Sequence, residues 1–160
     1  MARKLRLLFR GAIYRVTFRG NARQAIFADD RDRERLTERV AESAADFGVR
    51  VYLYCWMSNH GHLLLETPAA NLSAFMGSVL TGYTVYFNRR HGRCGHLMQG
   101  RFGATVVAGD SYLLRLSRYI HLNPAATAEW ARRPLAERQV HLRRYPWSSF
   151  RAYAGKLLQG

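Results

Sequence analysis

The apolar and polar positions of the chain change their period several times, and each change predicts a new element of secondary structure. Residues 12–18, AIYRVTF, predict a first strand. In residues 29–48, the apolar Leu36, Val40 and Ala44 recur at the spacing of one helix face. An amphipathic helix, with two aspartates at its start and a glycine at its end, is therefore expected after the first strand.

A β-hairpin and a second helix are expected next. Residues 49–57, VRVYLYCWM, are rich in β-branched and aromatic side chains. The short sequence SNHG connects them to a second apolar run, HLLLE at 62–66, and Pro68 ends that strand. Residues 71–92 then have the pattern and length of a helix, with Asn71 as its candidate N-terminal cap.

The remaining pattern completes a known order of elements. A loop leads into a short strand near residues 104–107, and a third helix over 111–123 ends before Pro124. The order βαββαβ followed by a helix is that of the ferredoxin-like α+β fold, in which helices cover one face of an antiparallel sheet and leave the other face free for a site. We expect one domain over residues 1–160, with a core at about 10–125 and a basic tail at 126–160 made of loops and short helical pieces.

Composition narrows the class of protein. The chain of 160 residues has 25 lysines and arginines against 11 aspartates and glutamates, a formal net charge of +14. Nearly all of these cations are arginines, which bind phosphate bidentately and stack on bases, so a nucleic acid is the expected partner. No apolar stretch is long enough to span a membrane, and the two cysteines, Cys55 and Cys94, form no disulfide framework. We therefore expect a cytoplasmic protein without a membrane partner.

Two histidines stand at the start of the second strand of the hairpin. Alternate side chains of a strand point the same way, so His60, His62 and Glu66 share one face, while Leu63 and Leu65 face the helices. Two imidazoles at this spacing are able to hold one metal ion with its other positions open, although the pattern alone is weak evidence. Glu66 lies about 13 Å beyond His62, which is too far for a ligand.

The third helix carries a tyrosine and an asparagine side by side. In RYIHLNP, Tyr119 and Asn123 are four residues apart and project from one helix face. A tyrosine hydroxyl and an asparagine amide oxygen then stand side by side, although taken alone the pair is better explained as an interface tyrosine and a C-terminal cap. Tyr112 shares roughly the same face and is the main rival to Tyr119, ahead of Tyr83 and Tyr86 on the second helix.

Four short motifs follow one another along the chain: NHGHLLL, QGRF, YIHLNP and YPWSSFRAY. In this order and spacing they resemble the REP-associated tyrosine transposases, which belong to the wider HUH group of IS200-like single-strand transposases. The resemblance covers nearly the whole chain. It implies a ferredoxin-like fold and a metal-dependent DNA endonuclease whose single tyrosine becomes joined to a 5′ phosphate. The chain departs from the HUH motif at Gly61, where the motif has a bulky hydrophobic residue, and whether this lowers activity is left open.

The resemblance also assigns roles to residues. By match to the motifs, Tyr119 would be the nucleophile, and His60, His62 and Asn123 would hold a divalent metal ion. Imidazole ligands tolerate Mn²⁺ better than Mg²⁺, so we expect activity with either ion and tighter binding of Mn²⁺. The implied substrate is single-stranded DNA at the foot of a REP-type hairpin, bound by a monomer or a homodimer.

Several basic and aromatic residues are candidates for contacts with DNA. Gln99 and Arg101 match the family's Gln-x-Arg-Phe signal, and Arg101 is expected to bind a phosphate near the metal. Further arginines suit backbone contacts, and Trp147 suits either stacking on a base or packing of the tail. These further candidates, with the basic N-terminal lead-in, are Arg89, Arg90, Arg93, Arg143, Arg144, Trp147, Arg3, Lys4, Arg6 and Arg10.

The function that these features favour is a metal-dependent DNA strand transferase with a tyrosine nucleophile. A non-catalytic nucleic-acid-binding module on the same fold is one alternative. A relative of replication initiators or relaxases, with the same chemistry on another substrate, is a second. A hydrolase of small phosphates is a third, and the net charge of +14 speaks against it.

Overall fold

The protein folds as a four-stranded antiparallel sheet with helices, as seen in a computed structural model that describes residues 4–158, with side chains up to residue 155. Arg3, part of the basic lead-in, lies outside the described residues. The elements are β1 Ala12–Arg19, α1 Asp30–Phe47, β2 Arg50–Trp56, β3 His60–Thr67, α2 Leu72–His91, β4 Gly103–Val106, α3 Asp110–Leu122, α4 Ala128–Ala131, α5 Leu135–Arg144 and α6 Phe150–Leu158. None of the described helices has the length and apolar content needed to cross a membrane.

The sheet has the strand order β2-β3-β1-β4, which is that of the ferredoxin-like fold. The predicted fold class is therefore confirmed. Strand β1 lies between β3 and β4 and is hydrogen-bonded to both. Thr17 is paired with His62, and Arg19 is paired with His60. This register brings the polar side of β1 next to the two histidines.

One face of the sheet forms the larger core against α1 and α2. Alternate residues of β1 are buried there, namely Tyr14, Val16 and Phe18. They meet the helical stripe that begins with Leu36 and Val40 on α1, as the sequence pattern predicts. The helix begins at its N-terminal cap Asp29 and ends where Gly48 takes the left-handed conformation with φ of 65°.

The opposite face is not left free, contrary to the expectation from the order of elements. Helix α3 packs there, where Leu116 and Ile120 join Leu53, Cys55 and Leu64 in a second, smaller core. The reason is that α3 is amphipathic and must bury its apolar stripe, and the first face is already occupied by α1 and α2. This packing places the helix beside the histidines.

The segment after α5 closes the outer edge of β2. The backbone N–H of Trp56 donates to the carbonyl oxygen of Trp147 at 2.8 Å, and that of Ser149 donates to Tyr54 at 3.0 Å. Trp147 is half-buried and packs against the main core, so it serves tail packing. In addition, the Ser149 hydroxyl lies 2.8 Å from Nε2 of the buried His121 on α3. The tail is thus tied to both the sheet and α3.

The glycine between the histidines has a packing reason. Gly61 is paired with Phe18 on β1 and with Trp56 on β2. A Cβ atom at Gly61 would lie 2.9 Å from Cε1 of Phe18. The Phe18 ring thus occupies the space that a side chain at position 61 would need. The glycine therefore leaves no gap, and an aromatic ring from the neighbouring strand replaces the hydrophobic residue of the HUH motif.

Replacing Gly61 with valine is expected to destabilise the protein by about 1–3 kcal/mol, because the Phe18 ring would have to leave its rotamer in a buried site. Chemical denaturation measures the change in the free energy of unfolding. Gly77→Ala on α2 is the control, since no atom lies within 4 Å of its added Cβ. A Phe18→Ala, Gly61→Val double variant should lose less than the sum of the two single losses. Full additivity would contradict this packing account.

Candidate functional site

A cavity of about 270 Å³ lies on the α3 side of the sheet. We call it the histidine cavity. Strand β1 contributes the alternate residues Arg15, Thr17 and Arg19, because these point away from the main core. Strand β3 contributes the histidine pair. The complete lining is Arg15, Thr17, Phe18, Arg19, His60, His62, Gln99, Arg101, Gly103 and Tyr119.

The two imidazoles lie edge to face, with ring centroids 5.0 Å apart and an interplanar angle of 84°. Nδ1 of His60 lies 2.7 Å from Oδ1 of Asn59. The Asn59 amide nitrogen donates to the Arg23 carbonyl oxygen, which fixes the amide so that its oxygen is turned to the ring. Because a carbonyl oxygen only accepts, Nδ1 of His60 carries the proton and Nε2 keeps its lone pair for a ligand. Asn59 was missed by the sequence analysis.

His62 is buried, with 4% of its surface exposed, and neither of its ring nitrogens has a hydrogen-bond partner within the described residues. Burial, together with the smaller effects of the charges of His60, Arg15 and Arg19, lowers the pKa of His62 to about 4. Burial and Arg19 also lower the pKa of His60. Both rings are therefore neutral near pH 7, which is the form that binds a metal ion.

Tyr119 reaches the histidine pair from α3 of the same chain. Its ring centroid lies 5.9 Å from that of His62, and 51% of its surface is exposed. Its neighbours Leu116 and Ile120 are buried in the second core, which fixes the side of the helix that faces the cavity. Tyr112 does not line the cavity.

The two tyrosines of α2 lie in the opposite layer. Tyr83 is fully buried in the main core, and the Tyr83 hydroxyl donates to the Ile26 carbonyl oxygen. The Tyr86 hydroxyl is directed to the carbonyl oxygen of Arg31 on α1. Of the tyrosines considered as nucleophiles, Tyr119 is the one that the structure places beside the imidazoles.

Asn123 caps the end of α3 and does not line the cavity. Its amide nitrogen donates to the Tyr119 carbonyl oxygen at 2.8 Å and faces that of Ile120 at 3.5 Å. Among the residues that the structure describes, no group of three or more histidine, cysteine, aspartate or glutamate side chains is placed to share a metal ion. Within the cavity lining, the side chains able to bind a metal ion are thus the two imidazoles, and Asn123 lies one helical turn beyond Tyr119.

The predicted Gln99 and Arg101 stand at the rim of the cavity. The Gln99 backbone N–H donates to the Arg19 carbonyl oxygen at 2.8 Å, which holds the loop against the end of β1. With Arg15 and Arg19, which the sequence analysis missed, three arginines line the cavity and no carboxylate does. The sequence signal for Arg15 and Arg19 was the alternation of polar and apolar residues along β1. That β1 lies beside β3 follows only from the strand order of the sheet. The cavity suits an anion such as a phosphodiester.

Comparison with known proteins agrees with this geometry. Residues 9–123 match the family of IS200-like transposases. The chain belongs to the IS200-like transposase family. No curated protein matches it. The family match ends at Asn123, so it includes every predicted catalytic and metal-binding residue but not the tail.

Two solved structures share the fold of this IS200-like transposase. One is a REP-associated tyrosine transposase bound to a REP hairpin, with a TM-score of 0.74, 16% identity, and coverage of 95% of this chain and 84% of the other. The second is a candidate transposase from Deinococcus radiodurans R1, with a TM-score of 0.52, 16% identity, and coverage of 74% and 95%. At these identities the two matches establish the fold alone.

The basic group at the end of α2 is not brought into the cavity of the transposase. Arg90 forms ion pairs of 2.6 Å with both Asp29 and the buried Asp32, and His91 Nε2 lies 2.9 Å from Asp32. Arg93 packs over the Phe87 ring at 5.6 Å. Arg90 and Arg93 therefore have structural partners, whereas Arg89 is exposed.

Replacing Arg90 with alanine is expected to lower the free energy of unfolding and the denaturation midpoint, because the buried Asp32 loses a charged partner. Arg89→Ala, an exposed neighbour, should leave both unchanged. The Arg90 hydrogen bond also lowers the pKa of Asp29 to about 2. The stability that Arg90 adds through Asp29 is present above a pH of about 4 and is lost as the pH falls through 2. The difference in the free energy of unfolding between Arg90→Ala and wild type should therefore shrink in acid. Equal denaturation midpoints for both variants at neutral pH would refute this role.

The remaining predicted DNA contacts lie on the tail and the N-terminal lead-in. Arg143 and Arg144 are exposed at the end of α5. Arg6 lies over the Phe102 ring at 3.7 Å and donates to the Phe102 carbonyl oxygen. Lys4 and Arg10 are exposed. The structure brings Gln99 and Arg101 together with the histidines and Tyr119, and places these other residues outside the cavity lining.

Proposed function

We propose that this IS200-like transposase is a metal-dependent DNA strand transferase that cleaves single-stranded DNA through a 5′-phosphotyrosine intermediate, with Tyr119 as the nucleophile. The observation that carries the proposal is the position of the Tyr119 ring, 5.9 Å from the ring of His62 in a cavity lined by arginines. A phenol, a pair of neutral imidazoles and several guanidinium groups are what phosphodiester cleavage by a side-chain oxygen requires.

The donor set fits a divalent ion that the substrate helps to hold. His62 is buried with both ring nitrogens unpaired within the described residues, and Asn59 leaves Nε2 of His60 available. We propose His60 and His62 as ligands and Mn²⁺ or Mg²⁺ as the ion. Asn123 lies outside the cavity lining, and we propose its Oδ1 as the third ligand on the family resemblance, which requires its side chain to turn toward the cavity. When bound, such an ion would polarise the scissile phosphate and stabilise the leaving 3′ oxygen.

The protein residues have separate tasks in the reaction. The Tyr119 oxygen attacks the phosphorus and forms the new oxygen–phosphorus bond, while the bond from phosphorus to the 3′ oxygen breaks. The phenolic proton passes to solvent, and the 3′ oxygen leaves with the bonding electrons and becomes a hydroxyl. Arg101 and Gln99 at the rim would hold the neighbouring backbone phosphates. The phosphotyrosine keeps the energy of the broken bond for rejoining to another 3′ end.

For the substrate we propose single-stranded DNA at the foot of a hairpin of the REP type. The support is the similar structure of a REP-associated transposase bound to a REP hairpin, together with the net charge of +14. Tyr119 and the histidines come from one chain, so we propose that each chain uses its own tyrosine, whether the protein is a monomer or a homodimer. Exposed arginines of the tail, Arg143 and Arg144, would contact the DNA backbone outside the cavity.

The test is incubation of the protein with hairpin-bearing single-stranded DNA labelled at its 3′ end, with and without Mn²⁺. The expected product is a labelled protein band on a denaturing gel, which disappears with a chelator and whose DNA-bearing peptide contains Tyr119. DNA binding without any covalent product would support the alternative of a non-catalytic binding module. Cleavage that yields no protein–DNA conjugate would refute a tyrosine intermediate.

A further inference from the structure

We propose that Arg15 on β1 is an additional catalytic residue, which binds the scissile phosphate and orients the Tyr119 ring for attack. This rests on the proposed function, since it assigns a role within the same cavity. Arg15 is outside the sequence motifs of the family resemblance, and its role follows from its surroundings in the fold.

The first observation is an unpaired donor. Nε of Arg15 is buried and has no hydrogen-bond partner within the described residues. None of the ion pairs of the described chain involves Arg15. A buried guanidinium N–H without a hydrogen-bond acceptor destabilises the fold, unless a bound ligand accepts its hydrogen bond. The chemical class that matches a guanidinium edge is a phosphate or carboxylate oxygen pair.

The second observation is contact with the nucleophile. The Arg15 guanidinium carbon lies 5.0 Å from the centroid of the Tyr119 ring. This is within the range of a cation–π interaction, which restricts the orientation of an exposed ring. The Tyr119 ring is half-exposed and its hydroxyl has no hydrogen bond within the described structure, so this contact and the edge of His62 are what hold it over the cavity.

The third observation is the position of Arg15 in the sheet. Its backbone is paired with Leu64 on β3 and with Thr105 on β4, so the side chain leaves a central strand of the sheet and lines the same cavity as Tyr119 and the histidines. Leu64 is buried beneath α3, and Arg15 lines the cavity at the point where the sheet passes under that helix. A phosphate bound in this cavity beside the phenol is therefore within reach of the guanidinium.

These observations give Arg15 two effects on one step. Its positive charge is fixed before the reaction where negative charge develops on the phosphoryl oxygens, which is worth about 10²–10³ in rate for one such donor. Its contact with the phenol ring reduces the orientations that the nucleophile samples. Both effects act on the rate of bond formation more than on the affinity for a long DNA strand, which is set by many phosphate contacts.

The test compares Arg15→Ala and Arg15→Lys with wild type in single-turnover adduct formation at saturating protein, with DNA affinity measured separately by fluorescence anisotropy. We expect the adduct rate of Arg15→Ala to fall by about 10²-fold, while affinity changes by about threefold or less. Arg15→Lys should recover part of the rate. Added guanidinium ion should rescue Arg15→Ala but not Arg15→Lys, a readout that a structural role would not move. Arg31→Ala, which removes an exposed arginine on α1 across the sheet, is the matched control and should react as wild type.

An adduct rate for Arg15→Ala within about threefold of wild type, or a loss explained by weaker DNA binding, would overturn the proposal and leave the proposed function intact. If wild type forms no adduct at all, the proposed function fails, and Arg15 is judged by NMR of its Nε–H during titration with a short single-stranded oligonucleotide. A selective shift of that signal in wild type supports phosphate binding by Arg15. An unchanged signal at saturation refutes it.

Discussion

The Tyr119→Phe variant is expected to form no covalent DNA adduct, a loss of at least about 10³-fold in rate, while it binds hairpin DNA as wild type does. The phenol oxygen is the one atom removed, and the ring, its contact with His62 and its contact with Arg15 are kept. The measurement is the yield of protein–DNA conjugate on a denaturing gel beside an anisotropy titration of the same DNA.

Tyr112→Phe is the matched control for this experiment, because Tyr112 lies on the same helix and outside the cavity lining. It should form the adduct at the wild-type rate. If Tyr119→Phe still became joined to DNA and Tyr112→Phe did not, the nucleophile would be Tyr112, and the geometry of the cavity would have been misinterpreted.

The double variant His60→Ala, His62→Ala should lose both Mn²⁺ binding and cleavage. We expect Mn²⁺ affinity to fall beyond detection in the millimolar range and the adduct rate to fall by at least about 10²-fold, because no carboxylate in the cavity lining can replace the imidazoles. Binding is measured by electron paramagnetic resonance of free Mn²⁺, and the adduct rate by single-turnover assay. The measurement of Mn²⁺ binding does not depend on whether the protein cleaves DNA.

His96→Ala is the control for this pair, since His96 is exposed in the loop before β4 and does not line the cavity. It should leave Mn²⁺ binding and adduct formation unchanged. The double variant must also be compared with wild type by thermal denaturation, because His62 is buried. Retained Mn²⁺ affinity in a folded double variant would exclude the histidines as the metal ligands.

The sequence pattern was sufficient for the order of elements and for the apolar stripe of α1. Leu36 and Val40, predicted on one helix face from their spacing, are buried in the main core. The pattern did not show where α3 would pack. The apolar stripe of α3 could be buried on either face of the sheet. Which face it takes depends on the face that α1 and α2 already cover.

The candidate site was only partly predictable for the same physical reason. His60, His62 and Tyr119 were predicted from motifs, and the structure brings their rings together. Arg15 is polar on a strand distant in sequence from those motifs, and its role depends on a register that spans many residues. Arg90 illustrates the converse, since an arginine in a basic run gives no local sign of the distant carboxylates that hold it.

The bonds that the tail makes with β2 and with His121 have a consequence for how the chain can be divided. A fragment that stops at Asn123, where the family match ends, would leave the outer strand with open hydrogen-bonding groups and His121 with an unpaired ring. Such an edge is a template for joining another chain, so the fragment would self-associate. It would also release α3, which carries the proposed nucleophile Tyr119, from one of its anchors. The segment beyond the family match thus supports the position of Tyr119, and sequence changes there are expected to affect the cavity at a distance.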